Sequence, residues 1–144
     1  MASGKTHKHD SIGLAIGGGV ILAMRRTEPL EIALFSLGAL AGIILSPDLD
    51  VDHKTEAERI LYKLGWLPGS LFYVFWLPYA KAIPHRHPIS HWPILGTIGR
   101  IVYLLPIWGA IWTFTGFPPW IYAWAFVGGL MGSDALHWLK DQMS

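Results

Sequence analysis

The chain has 144 residues and no cysteine, which suits one domain and excludes disulfides and thiolate metal sites. A formal net charge of +1 leaves no electrostatic footprint for nucleic acid. It is 52% hydrophobic and 15% charged, with eight tryptophans; soluble domains are about 25% charged, and one this small has little interior for so much apolar surface, so a lipid bilayer is the expected partner.

The first apolar segment, residues 11–24, has the length of a signal peptide. It runs into Arg25-Arg26-Thr27-Glu28 instead of a small-residue cleavage site, so it is read as retained. The second covers residues 30–46 and stops at Pro47, after which "SPDLDVDH" places carboxylates two apart on a turn. Residues 61–82 mix Trp66, Phe72, Tyr73, Phe75, Trp76 and Tyr79 with Gly65, Pro68, Gly69 and Pro78, flanked by Lys63 and Lys81. Aromatic and basic residues gather at the membrane–water interface, so this stretch is expected to be interfacial or re-entrant. Then comes "PHRHPISHW", with three histidines held among Pro84, Pro88 and Pro93. The third and fourth apolar segments are residues 94–117, interrupted by Arg100, and 118–139. A long arginine side chain near a helix end can snorkel to the interface.

Both early segments fall short of the roughly 20 residues of a spanning helix. Glycines four apart (Gly13 and Gly17, Gly38 and Gly42, Gly128 and Gly132) would allow close helix packing where no hydrophobic force drives association. The expected fold is therefore all-α: a polytopic membrane protein, one embedded domain over residues 1–144, with four short transmembrane helices plus the aromatic interfacial or re-entrant segment.

Four crossings put both termini on one side. That side holds Lys5, Lys8, Lys54, Arg59, Lys63, Lys81, Arg86, Arg100 and Lys140, the other only Arg25 and Arg26. The positive-inside bias makes the first side cytoplasmic, at an inner membrane. Every histidine and aspartate falls there too: His7, His9 and Asp10; Asp48, Asp50, Asp52 and His53; His85, His87 and His91; Asp134, His137 and Asp141. His137 and Asp141 stand i,i+4 and share a helix face, as ligand pairs do in helical zinc sites. Each piece alone also has an ordinary structural reading. An aspartate after a helix is a common cap, and His7 and His9 lie near a terminus. Together they predict a shared site. Carboxylates beside imidazoles suit Zn²⁺ first, then Mn²⁺ or Fe²⁺, as one or two ions.

The pieces "SGKTH" (3–7), "SPDLD" (46–50), "LYKLGW…LPYAKAIPHRHPISHW" (61–92) and "ALHWLKD" (135–141) resemble bacterial membrane-bound metal-binding proteins of unknown function. These look related to the inner-membrane metal-dependent hydrolases under LexA control. The match runs in order along nearly the whole chain, and "PHR…SH" is its most specific element. The resemblance implies a metal site of His7, Asp48, Asp50, His85, His91, His137 and Asp141. The wider group is distantly similar to zinc-dependent phospholipases C, a fold-level analogy that carries little about function.

Two functions follow as expectations. The first is a membrane-bound metal-dependent hydrolase acting on a phosphoester or phospholipid headgroup at the cytoplasmic face. Asp50 would hold or deprotonate the water, and Arg86 would clamp the anion near the helix start at Ser90 and His91. Arg86 paired structurally with Asp48 or Asp50 is the competing reading of that residue. The alternative function is a non-catalytic metal-binding membrane protein, with the ion as a staple or the chain as an adaptor. A homo-oligomer is compatible with both.

Overall fold

The computed structural model describes residues 4–50, 55–84, 87–116 and 123–143, and every regular element among them is helical. In chain order these are α1 (Gly4–Met24), α2 (Pro29–Ala41), a 3₁₀ turn (Pro47–Asp50), α3 (Glu56–Leu64), α4 (Trp66–Ala82), the single turn α5 (Pro88–His91), α6 (Pro93–Thr115) and α7 (Ala123–Met143). Helix α7 is central and packs on α1, α2 and α6.

The sequence explains where each helix stops. Arg26 adopts φ 58°, a left-handed C-terminal cap that lets Thr27 N–H donate to the Leu22 carbonyl (3.1 Å). Pro29 then opens α2 at a position whose N–H would be unpaired anyway. In the same way Thr55 caps α3, its hydroxyl accepting from the Glu58 N–H (3.2 Å). Gly65, at φ 149°, makes the sharp corner between α3 and α4. Pro68 is harmless because it falls in the first turn of α4.

Helices α2 and α7 touch backbone to backbone. A Cβ on Gly38 would overlap the Phe126 carbonyl oxygen, one on Gly129 the Phe35 carbonyl oxygen, and one on Gly42 the Ser133 side chain. Of the spaced pairs, Gly38 and Gly42 thus lie in a close contact. Gly13, Gly17 and Gly128 meet nothing within 4 Å, while Gly132 faces Leu14. On the other flank, the α4 aromatics pack on α6 and the 3₁₀ turn. Phe75, Trp76, Tyr79 and Tyr103 stack edge-on or tilted with ring centroids 5.1–5.4 Å apart. Leu49 is buried against them.

Three expectations are corrected. The four-span architecture fails on length and composition: among the described residues only α6 is long and apolar enough to cross a membrane. The 13 residues of α2 reach only about 20 Å at 1.5 Å per residue, against a hydrocarbon core of about 30 Å. Helix α1 opens with Lys5, Lys8 and Asp10, and the second half of α7 carries Asp134, Lys140 and Asp141. The stretch 61–82 is not a re-entrant segment. It forms the end of α3 and all of α4, with Trp76 and Tyr79 buried as core. Arg100 does not snorkel either; it is fully buried and paired with Asp134.

Replacing Gly38 or Gly129 with Ala is expected to destabilise the chain by about 1–3 kcal/mol through overpacking. Gly13→Ala, into open space, should stabilise it by up to about 1 kcal/mol through helix propensity. Denaturant midpoints measure both. Equal midpoints for Gly38→Ala and Gly13→Ala would show that α2 and α7 are not in contact.

Candidate metal centre

Alternating helix directions bring four chain regions to one end of the assembly. α7 supplies His137 and Asp141 from consecutive turns, with His137 Nε2 3.4 Å from Asp141 Oδ2. α1 adds His7, whose ring stacks on His137 at 3.6 Å between centroids and whose Nε2 lies 3.8 Å from Asp141 Oδ1. Two contacts set the depth of α1 against α7: Ser11 and Ser133 share a buried hydroxyl hydrogen bond (2.7 Å), and Lys140 Nζ donates to Asp10 Oδ1 (2.7 Å).

The 3₁₀ turn points successive side chains about 120° apart, and "PDLD" uses all three directions. Asp48 Oδ1 faces His137 Nε2 (3.6 Å) and His91 Nε2 (4.0 Å). Leu49 enters the aromatic core. Asp50, buried, turns behind His91: its Oδ2 accepts from the Ser90 hydroxyl (2.6 Å) and lies 3.2 Å from His91 Nδ1. A carboxylate on Nδ1 fixes that nitrogen as the protonated one and leaves the Nε2 lone pair directed at Asp48 and His137. Glycine lets α5 sit this close to α6, since a Cβ on Gly96 would overlap the Ser90 carbonyl oxygen.

Two donor triads result, His7–His137–Asp141 and Asp48–His91–His137, each with its ligand atoms within 4.8 Å of one another. An ion about 2.1 Å from each ligand can bridge donors up to roughly twice that apart. The His–Asp contacts of 3.4–4.0 Å above fall within this, and the remaining pairs of each triad, within 4.8 Å, would close by about half an ångström on binding. The donor set therefore fits a divalent transition metal.

The electrostatics agree. Burial pushes His137 well below the usual imidazole range, to about 3; the adjacent His7 adds to this and Asp141 opposes it. A neutral imidazole is the ligating form. Exposure is graded across the cluster, from 5% for the His137 side chain to 39% for that of Asp48, so the site opens toward solvent at Asp48.

Of the residues singled out in the sequence, His7, Asp48, His91, His137 and Asp141 come together as donors, and Asp50 stands one layer behind. His85 and Arg86 lie outside the described residues, as do Asp52 and His53. His9 and His87 are exposed. Asp134 turns away from the cluster to pair with Arg100 and accept from the Thr97 hydroxyl. Burial pushes its carboxyl up, to about 6, against the pull of Arg100 and Thr97. Ser90, Ser11, Ser133 and Thr97 went unmarked as supports. Arg100 and Asp134 carried a readable signal, because each is a lone charge in an apolar run, and such charges pair with one another.

The fold and donor set define an all-helical protein with a histidine–carboxylate cluster of metal-ligand type at one end. The chain matches the model of the uncharacterized metal-binding protein family DUF2227 over residues 2–143, and it belongs to that family. No curated protein and no solved structure matches it. The metal-binding part of the resemblance thus holds, and no relation to LexA-regulated hydrolases is found.

Because the unfolded ring titrates near 6.5 and the folded one near 3, His137 contributes stability above about pH 6.5 that is lost as pH falls toward 3. Asp134, raised from 3.8 to about 6, acts in the opposite sense over part of that window. A site-specific readout is therefore required. Histidine-resolved NMR of metal-free protein is expected to show His137 neutral down to about pH 4; a midpoint near 6.5 would contradict the burial argument.

Proposed function

We propose that the chain binds a single divalent transition-metal ion through His7, Asp48, His91, His137 and Asp141, with Asp50 orienting His91. The observation that carries this reading is His137 Nε2. It belongs to both triads, and one lone pair serves one ion, so the triads merge into one centre. Three imidazoles with two carboxylates favour Zn²⁺, with Mn²⁺ or Fe²⁺ next, and disfavour the all-oxygen cations. The two anionic ligands match the charge of the ion.

A metal-dependent hydrolase is the second reading. The observation in its favour is the partly exposed Asp48, since catalytic centres keep a side open whereas structural ones close it. The ion would supply Lewis acidity to a substrate oxygen there. Phosphoesters and phospholipids are the class to screen, with activity abolished by chelator. The first reading needs no turnover and is the better supported.

Metal analysis of the purified full chain is expected to give one ion per chain. His137→Ala should remove nearly all of it. Asp50→Asn should keep the stoichiometry but weaken affinity by about 10- to 100-fold, the usual effect of losing a carboxylate behind a ligating histidine. Full metal content in His137→Ala would overturn the proposal.

A further inference from the structure

Helix α6 leaves the metal centre and ends in a segment of different character. It has 23 residues, and only 17% of its most apolar 18-residue window is buried. No charged residue follows Arg100 within it. From Gly109 to Gly116 every residue is exposed, among them Ile111, Trp112 and Phe114, the last at 88%. The seven of these residues inside α6, 109–115, cover about two turns, so this part of the helix is exposed on all sides and carries no charge. A helix of that kind is either core or membrane-inserted, and among the described residues no protein core surrounds it.

The hydroxyls distinguish lipid from a protein partner. Thr113 donates to the Gly109 carbonyl (2.8 Å) and Thr115 to the Ile111 carbonyl (2.6 Å). Each of these hydroxyls thus has a partner within its own helix, as hydrocarbon requires. A second copy would cover one face and leave the opposite face in water. Length is consistent as well: residues 109–115 of α6 rise about 10 Å at 1.5 Å per residue, within one leaflet's share of a hydrocarbon core of about 30 Å.

We infer that the end of α6, from Gly109 onward, inserts into the hydrocarbon of a lipid bilayer and holds the metal centre near the membrane surface. Trp108, in ring contact with Phe126 of α7, marks the boundary between the protein-packed and the inserted parts of α6. This inference is independent of whether the centre is catalytic.

The absence of cysteine permits single labels on the full chain. An environment-sensitive dye is attached at Phe114→Cys or, at the metal end, at Gln142→Cys, and the protein is mixed with phosphatidylethanolamine–phosphatidylglycerol vesicles. The chain should float with the vesicles. Brominated acyl chains should quench the label at 114 severalfold more than that at 142, and aqueous iodide should show the reverse order. Phe114→Asp combined with Ile111→Asp should lower the vesicle-bound fraction severalfold while metal content stays at the wild-type level, which separates lost insertion from lost folding. Failure to float, or equal iodide quenching at both positions, overturns the inference. So does protection at 114 that needs no lipid and grows with protein concentration, the sign of a second copy.

Discussion

A guanidinium with no exposed surface, Arg100, is paired with Asp134 between α6 and α7, and the metal centre depends on that pair. Desolvating two charges costs several kcal/mol per ion, offset only where geometry is close and further hydrogen bonds are present. Thr97 provides one of these. The pair is therefore intolerant of sliding. A one-turn slip of α7 along α6, about 5.4 Å, would strand both charges in the interior. His137 stands three residues beyond Asp134, and His91 just precedes α6. The register that pairs Arg100 with Asp134 thus also holds the two imidazoles 6.3 Å apart between ring centroids.

The same economy appears in the path of the chain. His7, Asp48, His91 and His137 recur at intervals of roughly 40 to 46 residues. Each interval is an out-and-back excursion: α1 with α2, α3 with α4, α6 with α7. An ion held by all four would close three loops at once. Such closure opposes chain entropy that grows only slowly with loop length, so long excursions add little to its cost. The returning ends are also those where charge is tolerated, since the α2–α7 interface is too tight at Gly38, Gly42 and Gly129 to admit side chains.

This convergence was legible in the sequence, because it needs only alternating helix directions and the positions of histidine and aspartate. The helical class and the i,i+4 pair His137–Asp141 were legible for the same reason, each resting on local chemistry, whereas α2 ends at Ala41, short of the expected stop at Pro47. What failed rested on the choice of solvent. Composition argued for bilayer on every apolar segment, and that hid the interior uses of two of them. Trp76 and Tyr79 read as interfacial anchors, yet they close a core around Leu49. Arg100 read as a snorkelling charge because its partner lies 34 residues away, beyond any local pattern. Helix α3 was passed over although Thr55 and Glu58 spell a capping box. The division between Asp48 as donor and Asp50 as orienter depends on the 3₁₀ turn, which the spacing of the two carboxylates does not reveal.

Ser11–Ser133, Lys140–Asp10, Ser90–Asp50 and the glycine contacts position every donor-bearing element through groups that would not ligate. Small metallo-domains behave otherwise: in them the ion supplies the folding energy, and the metal-free chain is unfolded. Here an ion would add its binding free energy to packing already set by those contacts. What remains unfavourable before binding is local: carboxylates gathered beside imidazoles, one of them driven neutral by burial. A divalent cation relieves that crowding and needs no change in the helices around it. Preorganisation of this kind lowers the ordering cost of binding, and the glycine-tight packing of α2 on α7 is the part of the fold that makes it rigid.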